Sequence, residues 1–119
     1  MNTTVEHNEK MARMKFSTVY PLYLNKILKK GRTKEELDKV IEWLTGFHNL
    51  AIENLLEEDA SFQKFFDLAK LNPKADLIKG TICGYRIEEL KNPLTKKIRI
   101  LDKLVDDLAK GHKLEKILF

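Results

Sequence analysis

Between Lys30 and Gly46 the chain carries a helix stop, a tight basic turn, a helix start and a second helix stop. Gly31 can adopt the left-handed backbone that ends a helix, and Lys29 and Lys30 stand in the preceding turn, where the helix dipole favours cations. Thr33 followed by Glu36 has the spacing of a capping box. Leu37, Val40, Ile41 and Leu44 then recur at i, i+3, i+4 and i+7, the stripe of an amphipathic helix, and Gly46 stops it. A connection this short forces its two helices to be neighbours in space. The span therefore predicts a helical hairpin with Arg32, Thr33 and Lys34 at an exposed corner.

The same signals recur along the rest of the chain. A first helix is expected from Ser17, with Pro21 in its first turn and Tyr20, Tyr23, Leu24, Ile27 and Leu28 on one face. A third runs from about Asn49 to Glu58, and a fourth follows Ser61 with Phe62, Phe65, Phe66 and Ala69 at helical spacing. Asn72-Pro73 reads as the cap and first position of a short helix. Asn92-Pro93 opens a long helix to Lys110, whose seam of Leu94, Ile98, Leu101, Val105 and Leu108 is widened by Ile100 and Leu104. Gly111 caps it, and a final turn carries Leu114, Ile117 and Leu118.

Residues 76–90 admit two readings. The one adopted is a helix and a turn, in which Gly80 and Gly84 let another backbone approach; the other is a pair of short extended pieces, Thr81-Ile82-Cys83 and Tyr85-Arg86-Ile87. Residues 1–13 lack apolar periodicity and read as a flexible tail or a frayed helical extension, with Met11 and Met14 as alternative translation starts. The expected organisation is a tail over residues 1–13 and a single helical domain over residues 14–119. The expected fold is all-α: a compact bundle of five to seven short helices with a long helix near the C-terminus.

Composition bounds the function class. Charged residues make up 34% of the chain and there are only five Gly and three Pro, which fits a helix-rich protein with a solvated surface. The net charge of +4, from 22 basic against 18 acidic residues, tolerates an anionic partner without demanding one. Cys83 is the sole cysteine, so no internal disulfide and no cysteine zinc cluster can form, and a reducing cytoplasm is the expected location. No apolar run approaches the roughly 18 residues that span a bilayer, and residues 1–13 have no secretory apolar core. The Asn2-Thr3-Thr4 glycosylation sequon therefore carries no weight. His7, His48 and His112 lack the spacing of a metal motif, so neither metal nor cofactor is expected.

Several groups could bind or react. The basic corner of Lys26, Lys29, Lys30, Arg32 and Lys34 suits a phosphate, although lysines closing a helix explain it as well. Base reading by a helix-turn-helix is disfavoured, because Glu53, Glu57 and Glu58 on the helix after Gly46 would repel the DNA backbone. Cys83 is a possible thiol nucleophile, but a lone cysteine in an apolar stretch is more often buried and inert. Glu88 or Asp102 could act as acid or base, and Arg99 can pair with Asp102 or Asp106, yet such charges usually form a solvated face. Tyr20, Tyr23, Trp43 and Phe47 are read mainly as core. If they line a pocket, Arg32 or Arg86 at its edge would suit a carboxylate or phosphate.

Phe16-Ser17-Thr18-Val19-Tyr20-Pro21-Leu22-Tyr23, Lys30-Gly31-Arg32-Thr33-Lys34 and Trp43-Leu44-Thr45-Gly46 together resemble a bacterial family of uncharacterised proteins, domain of unknown function 2200. So do Leu71-Asn72-Pro73, Ile82-Cys83-Gly84, Lys97-Ile98-Arg99 with Leu101-Asp102-Lys103-Leu104, and Leu108-Ala109-Lys110-Gly111 with Glu115-Lys116-Ile117-Leu118. The resemblance covers about Met14 to Phe119, and the polar segment before Met14 is longer than the family usually has. It implies a small helical fold and brings no activity with it.

The functional expectation is a small, non-catalytic binding or interaction protein, with Tyr23, Arg32, Lys34, Trp43 and Arg86 as the binding residues. The apolar seam of the long helix, with Leu114, Ile117, Leu118 and Phe119, offers a surface for a protein partner or a second copy. The alternatives are an anion or nucleic-acid binder at residues 26–34 and a small enzyme using Cys83 or Glu88. No membrane partner is expected.

Overall fold

Capping chemistry places the helices. A computed structural model describes residues 3–119, and among them seven α-helices form: α1 (Val5–Arg13), α2 (Phe16–Leu28), α3 (Lys34–Thr45), α4 (Asn49–Glu57), α5 (Phe62–Leu68), α6 (Pro93–Ala109) and α7 (Leu114–Ile117). Between α5 and α6 lie a 3-10 turn over Pro73–Leu77, strands β1 (Thr81–Ile82) and β2 (Tyr85–Arg86), and a 3-10 turn over Ile87–Glu89. The all-α reading with a long helix near the C-terminus is the observed architecture.

Helix α6 is the axis. Asn92 accepts from the Thr95 amide at 2.9 Å and Pro93 takes the first position, as the sequence predicts. Its residues Ile98, Ile100, Leu101, Leu104, Val105 and Leu108 are each at most 2% exposed. That stripe is too wide to face one neighbour, and α1, α2, α3, α5, α7 and β1 all pack against α6. The seam expected to await a partner is consumed by the protein's own core. Of the C-terminal apolar residues, Ile117 is buried, while Phe119 lies partly exposed against Trp43 with ring centroids 5.9 Å apart.

The α2–α3 corner forms as read. Thr33 Oγ1 accepts from the Glu36 amide at 3.2 Å and the Glu36 carboxylate accepts from the Thr33 amide at 3.0 Å, completing the capping box. Gly31 and Gly46 end their helices at φ of +79° and +78°. Arg32 is not a free cation at this corner. Its Nε and Nη2 donate to Glu36 Oε2 at 3.1 and 2.7 Å, and its Nη1 donates to the carbonyls of His112 and Leu108 at 2.7 and 3.3 Å. One guanidinium therefore ties the hairpin to the C-terminal end of α6, where free carbonyls and the helix dipole favour a cation.

Three expectations are corrected. Helix α2 starts one residue before Ser17, because Phe16 N donates to Ala60 O and Phe62 N to Met14 O, both at 2.8 Å, pinning the chain there. Ser17 does not cap it; its hydroxyl donates to Asp59 at 2.7 Å, and Pro21 lies inside the helix on an exposed side. The polar N-terminal segment is not unstructured where it is described: Thr4 caps α1, whose Met11 is buried and which packs on α5 and α6. The part of the tail expectation and of the sequon that falls on residues 1 and 2 lies outside the described residues.

The third correction concerns residues 76–90, where the extended alternative holds. Strands β1 and β2 pair antiparallel, Thr81 opposite Arg86 and Ile82 opposite Tyr85. Cys83 and Gly84, at φ of +52° and +82°, form a two-residue turn that needs left-handed backbone at both positions. A Cβ on Gly84 would meet nothing within 4 Å, so this glycine serves conformation and not close packing. Cys83 is exposed at the turn tip, contrary to the buried thiol expected.

Two predictions follow from these local geometries. Asn accepts left-handed backbone better than Cys, so Cys83→Asn raises unfolding free energy by up to about 1 kcal/mol in urea denaturation, and the branched Cys83→Val lowers it; the opposite order would contradict the turn. Arg32→Ala costs about 2 kcal/mol at neutral pH. The hydrogen bond from Arg32, ahead of those from Thr33, holds the Glu36 carboxyl below its ordinary value of 4.5. Its folded pKa lies below its unfolded one, so the stabilisation is complete above about pH 4.5 and is lost as pH falls through the depressed value. The stability gap between wild type and Arg32→Ala therefore narrows on acidification below that point, and a gap that widens would contradict it.

Candidate functional site

The residues singled out by sequence take separate places. Lys34 Nζ donates to Asp38 at 2.8 Å, and the buried Asp38 also accepts from the Tyr20 hydroxyl at 2.5 Å. That pairing raises the Lys34 ammonium, while burial first and Asp38 second push the Tyr20 phenol well up. Trp43 is half-buried against Phe119, and Arg86 is exposed on β2. Glu88 Oε1 accepts from the Gly80 amide at 3.1 Å; this bond, the foremost cause, holds its carboxyl below the ordinary range, so it staples the hairpin base. Tyr23 alone of the five named binding residues lines the cavity that concentrates unassigned polar groups.

That cavity, of about 370 Å³, is lined by residues of α1, α2, α5 and α6. From α1 come His7, Lys10 and Met11, with Met14 just beyond, spaced i, i+3, i+4 and i+7 on one helical face. Helix α2 contributes Val19 and Tyr23, one turn apart. Phe62 of α5 and Ile98, Arg99 and Asp102 of α6 complete the lining. Met11, Val19, Phe62 and Ile98 are buried core residues, so the apolar walls are continuous with the core.

The polar side of the cavity is one linked cluster. The Tyr23 hydroxyl donates to the Asp102 carboxylate, and Arg99 Nη1 donates to its other oxygen at 3.0 Å. Arg99 pairs with Asp102, one of the two partners expected of it, but not on a solvated face: the two side chains are only 12% and 17% exposed. Burial first, then Asp102, raises the Tyr23 phenol well above its ordinary value, so it is a neutral donor to an acceptor carboxylate. The Arg99 guanidinium lies 5.4 Å from the centre of the Tyr85 ring, and the His7 ring stands 6.1 Å from the same ring.

Two nitrogens of lining residues, Arg99 Nε and His7 Nε2, are shut off from solvent and make no hydrogen bond to another protein group. Buried polar groups are nearly always satisfied, and one left unsatisfied costs about 1–3 kcal/mol. A concave, mainly apolar space with a few convergent polar groups is the usual form of a small-molecule site. Among the described residues no group of three or more His, Cys, Asp and Glu is arranged to hold a metal ion.

Sequence reasoning named Tyr23 and the pairing of Arg99 with Asp102 without joining them, and missed His7, Lys10 and Met11 as site residues. The signal was present as the one-face spacing on α1, but two of its members are polar, so an apolar periodicity does not register them.

Comparison with known proteins adds the following. The family model described as "Uncharacterized protein conserved in bacteria (DUF2200)" matches residues 10–119. The crystal structure of uncharacterized protein SP1917 is similar to this chain over 92% of its length and 91% of that chain's, at 40% identity and a TM-score of 0.86. Comparison with curated proteins finds no match. No helix among the described residues is long and apolar enough to cross a membrane.

Proposed function

The chain belongs to the DUF2200 family of uncharacterized proteins conserved in bacteria, and from that premise we propose that it is a cytoplasmic, non-catalytic protein that binds a small amphipathic molecule in the cavity between α1, α2 and α6. The observation that carries this reading is the linked Tyr23–Asp102–Arg99 cluster, with His7 and Lys10 beside it, set against the apolar wall of one cavity. A ligand with a polar head and an apolar body fits this lining: the body is taken out of water by Met11, Met14, Val19, Phe62 and Ile98, and the head meets Lys10 and the polar cluster.

The Tyr23–Asp102–Arg99 chain supports binding more than catalysis. Asp102 already accepts from two donors, and the Tyr23 proton is held too firmly to be given up near neutral pH. These groups fix one another, as in a preorganised binding wall.

The alternative reading is a protein partner or a second copy. Its support is an exposed apolar surface on α4 and α5, where Leu50 and Leu68 are 69% and 56% exposed and Leu68 borders a shallow groove with Phe47, Ala51 and Leu55.

The test of the cavity is a fragment screen by thermal shift on wild type and on Val19→Phe and Met14→Phe, two substitutions that fill the space. Fragments that stabilise wild type are expected to lose that effect on the filled variants, provided each variant unfolds cooperatively. Equal stabilisation of all three proteins would contradict the cavity as the site. For the alternative, sedimentation at high micromolar concentration is expected to show a monomer, and a dimer abolished by Leu50→Glu would favour self-association instead.

A further inference from the structure

Resting on the cavity reading above, we infer that the bound molecule is a small monocarboxylate with a short apolar body. The charges lining the cavity select it. Lys10 and Arg99 are cationic and Asp102 is the only carboxylate among the lining residues, so, His7 aside, two positive charges against one negative leave a net charge of +1. One added negative charge balances the site.

Other heads fit less well. A cationic head would meet Lys10 and Arg99 while the one carboxylate is already taken by Tyr23 and Arg99. A doubly charged phosphate monoester would bring a surplus charge beside Asp102, which is 17% exposed and poorly screened. A neutral head would gain only ordinary hydrogen bonds, whereas a carboxylate gains charge-assisted ones from Lys10 and from guanidinium donors that Asp102 does not use. Arg99 Nη1 alone reaches Asp102, which leaves Nη2 as a donor for a second oxyanion.

The walls set the rest of the molecule. Three buried residues, Met11, Val19 and Phe62, line the same cavity together with the half-buried Met14. Thioethers adapt to an irregular apolar guest, so the body is specified by size more than by outline. A volume of about 370 Å³ sits at the lower end of the usual range for ligand sites, which confines the body to a short chain or a single ring.

Calorimetric titration with hexanoate, hexanamide, hexanol and hexyl phosphate tests this, because the four share a body and differ in the head. Hexanoate is expected to bind at least about tenfold more tightly than each of the others. Lys10→Gln, at an exposed position that the core does not use, is expected to bring hexanoate down toward hexanamide. Hexanamide or hexanol equal to hexanoate on wild type, with binding still lost in Val19→Phe, would overturn the carboxylate and leave the cavity reading standing. Tighter binding of hexyl phosphate would overturn the monoanion count. Failure of all four to bind, while neutral fragments from the thermal screen do bind and are blocked by Val19→Phe, would overturn the carboxylate alone; failure of those fragments as well would overturn both readings.

Discussion

Burial of α6 is the constraint on which the rest of this fold depends. A helix with six nearly inaccessible aliphatic residues spread around much of its circumference must be enclosed. The other elements supply the enclosure, and their short connections follow from having to stay close to one axis. Charged residues interleaved in that stripe are then drawn inward with it. Arg99 and Asp102, one turn apart at the margin of the buried face, cannot remain in bulk water, and they resolve the cost by pairing with each other and with Tyr23. The polar cluster is thus a consequence of where α6 has to sit.

Helix α1 closes the arrangement on the remaining side. Asn8 accepts from the fully buried Thr95 hydroxyl of α6 at 2.7 Å, and Met11 enters the core. Beside those anchors α1 presents the half-buried His7 and the exposed Lys10, side chains that do not pack like aliphatic residues. A cavity with mixed lining results. The Arg32 clamp at the far end of α6 plays the complementary part, holding the α2–α3 hairpin and therefore the position of Val19 and Tyr23.

What was legible in the sequence was local. Thr33 with Glu36, Ser61, Asn72-Pro73 and Asn92-Pro93 each announce a helix start through groups within three residues, and all appear as such. What was not legible depends on partners far along the chain. Arg32 has one readable partner four residues on, but its other acceptors, Leu108 and His112, lie 76 and 80 residues away, so a structural clamp read as a free corner. The Gly80–Gly84 pair fits helical spacing as well as it fits a hairpin, and only the pairing of Thr81–Ile82 with Tyr85–Arg86 decides between them. The cavity escaped for a related reason: a face that lines a mixed space carries mixed residues, and hydrophobic periodicity sees only half of them. The family membership was legible from the blocks as a set, without an activity attached.

The cavity under α1 as a binding site is tested most directly through its methionines. Met11 and Met14 both line it, and their ε-methyl groups can be observed one by one by NMR in protein labelled at methionine. On titration with hexanoate, both methyl resonances are expected to move along one saturable curve, and Val19→Phe is expected to abolish the movement. Resonances that stay fixed, or that drift linearly without saturation, would contradict the site.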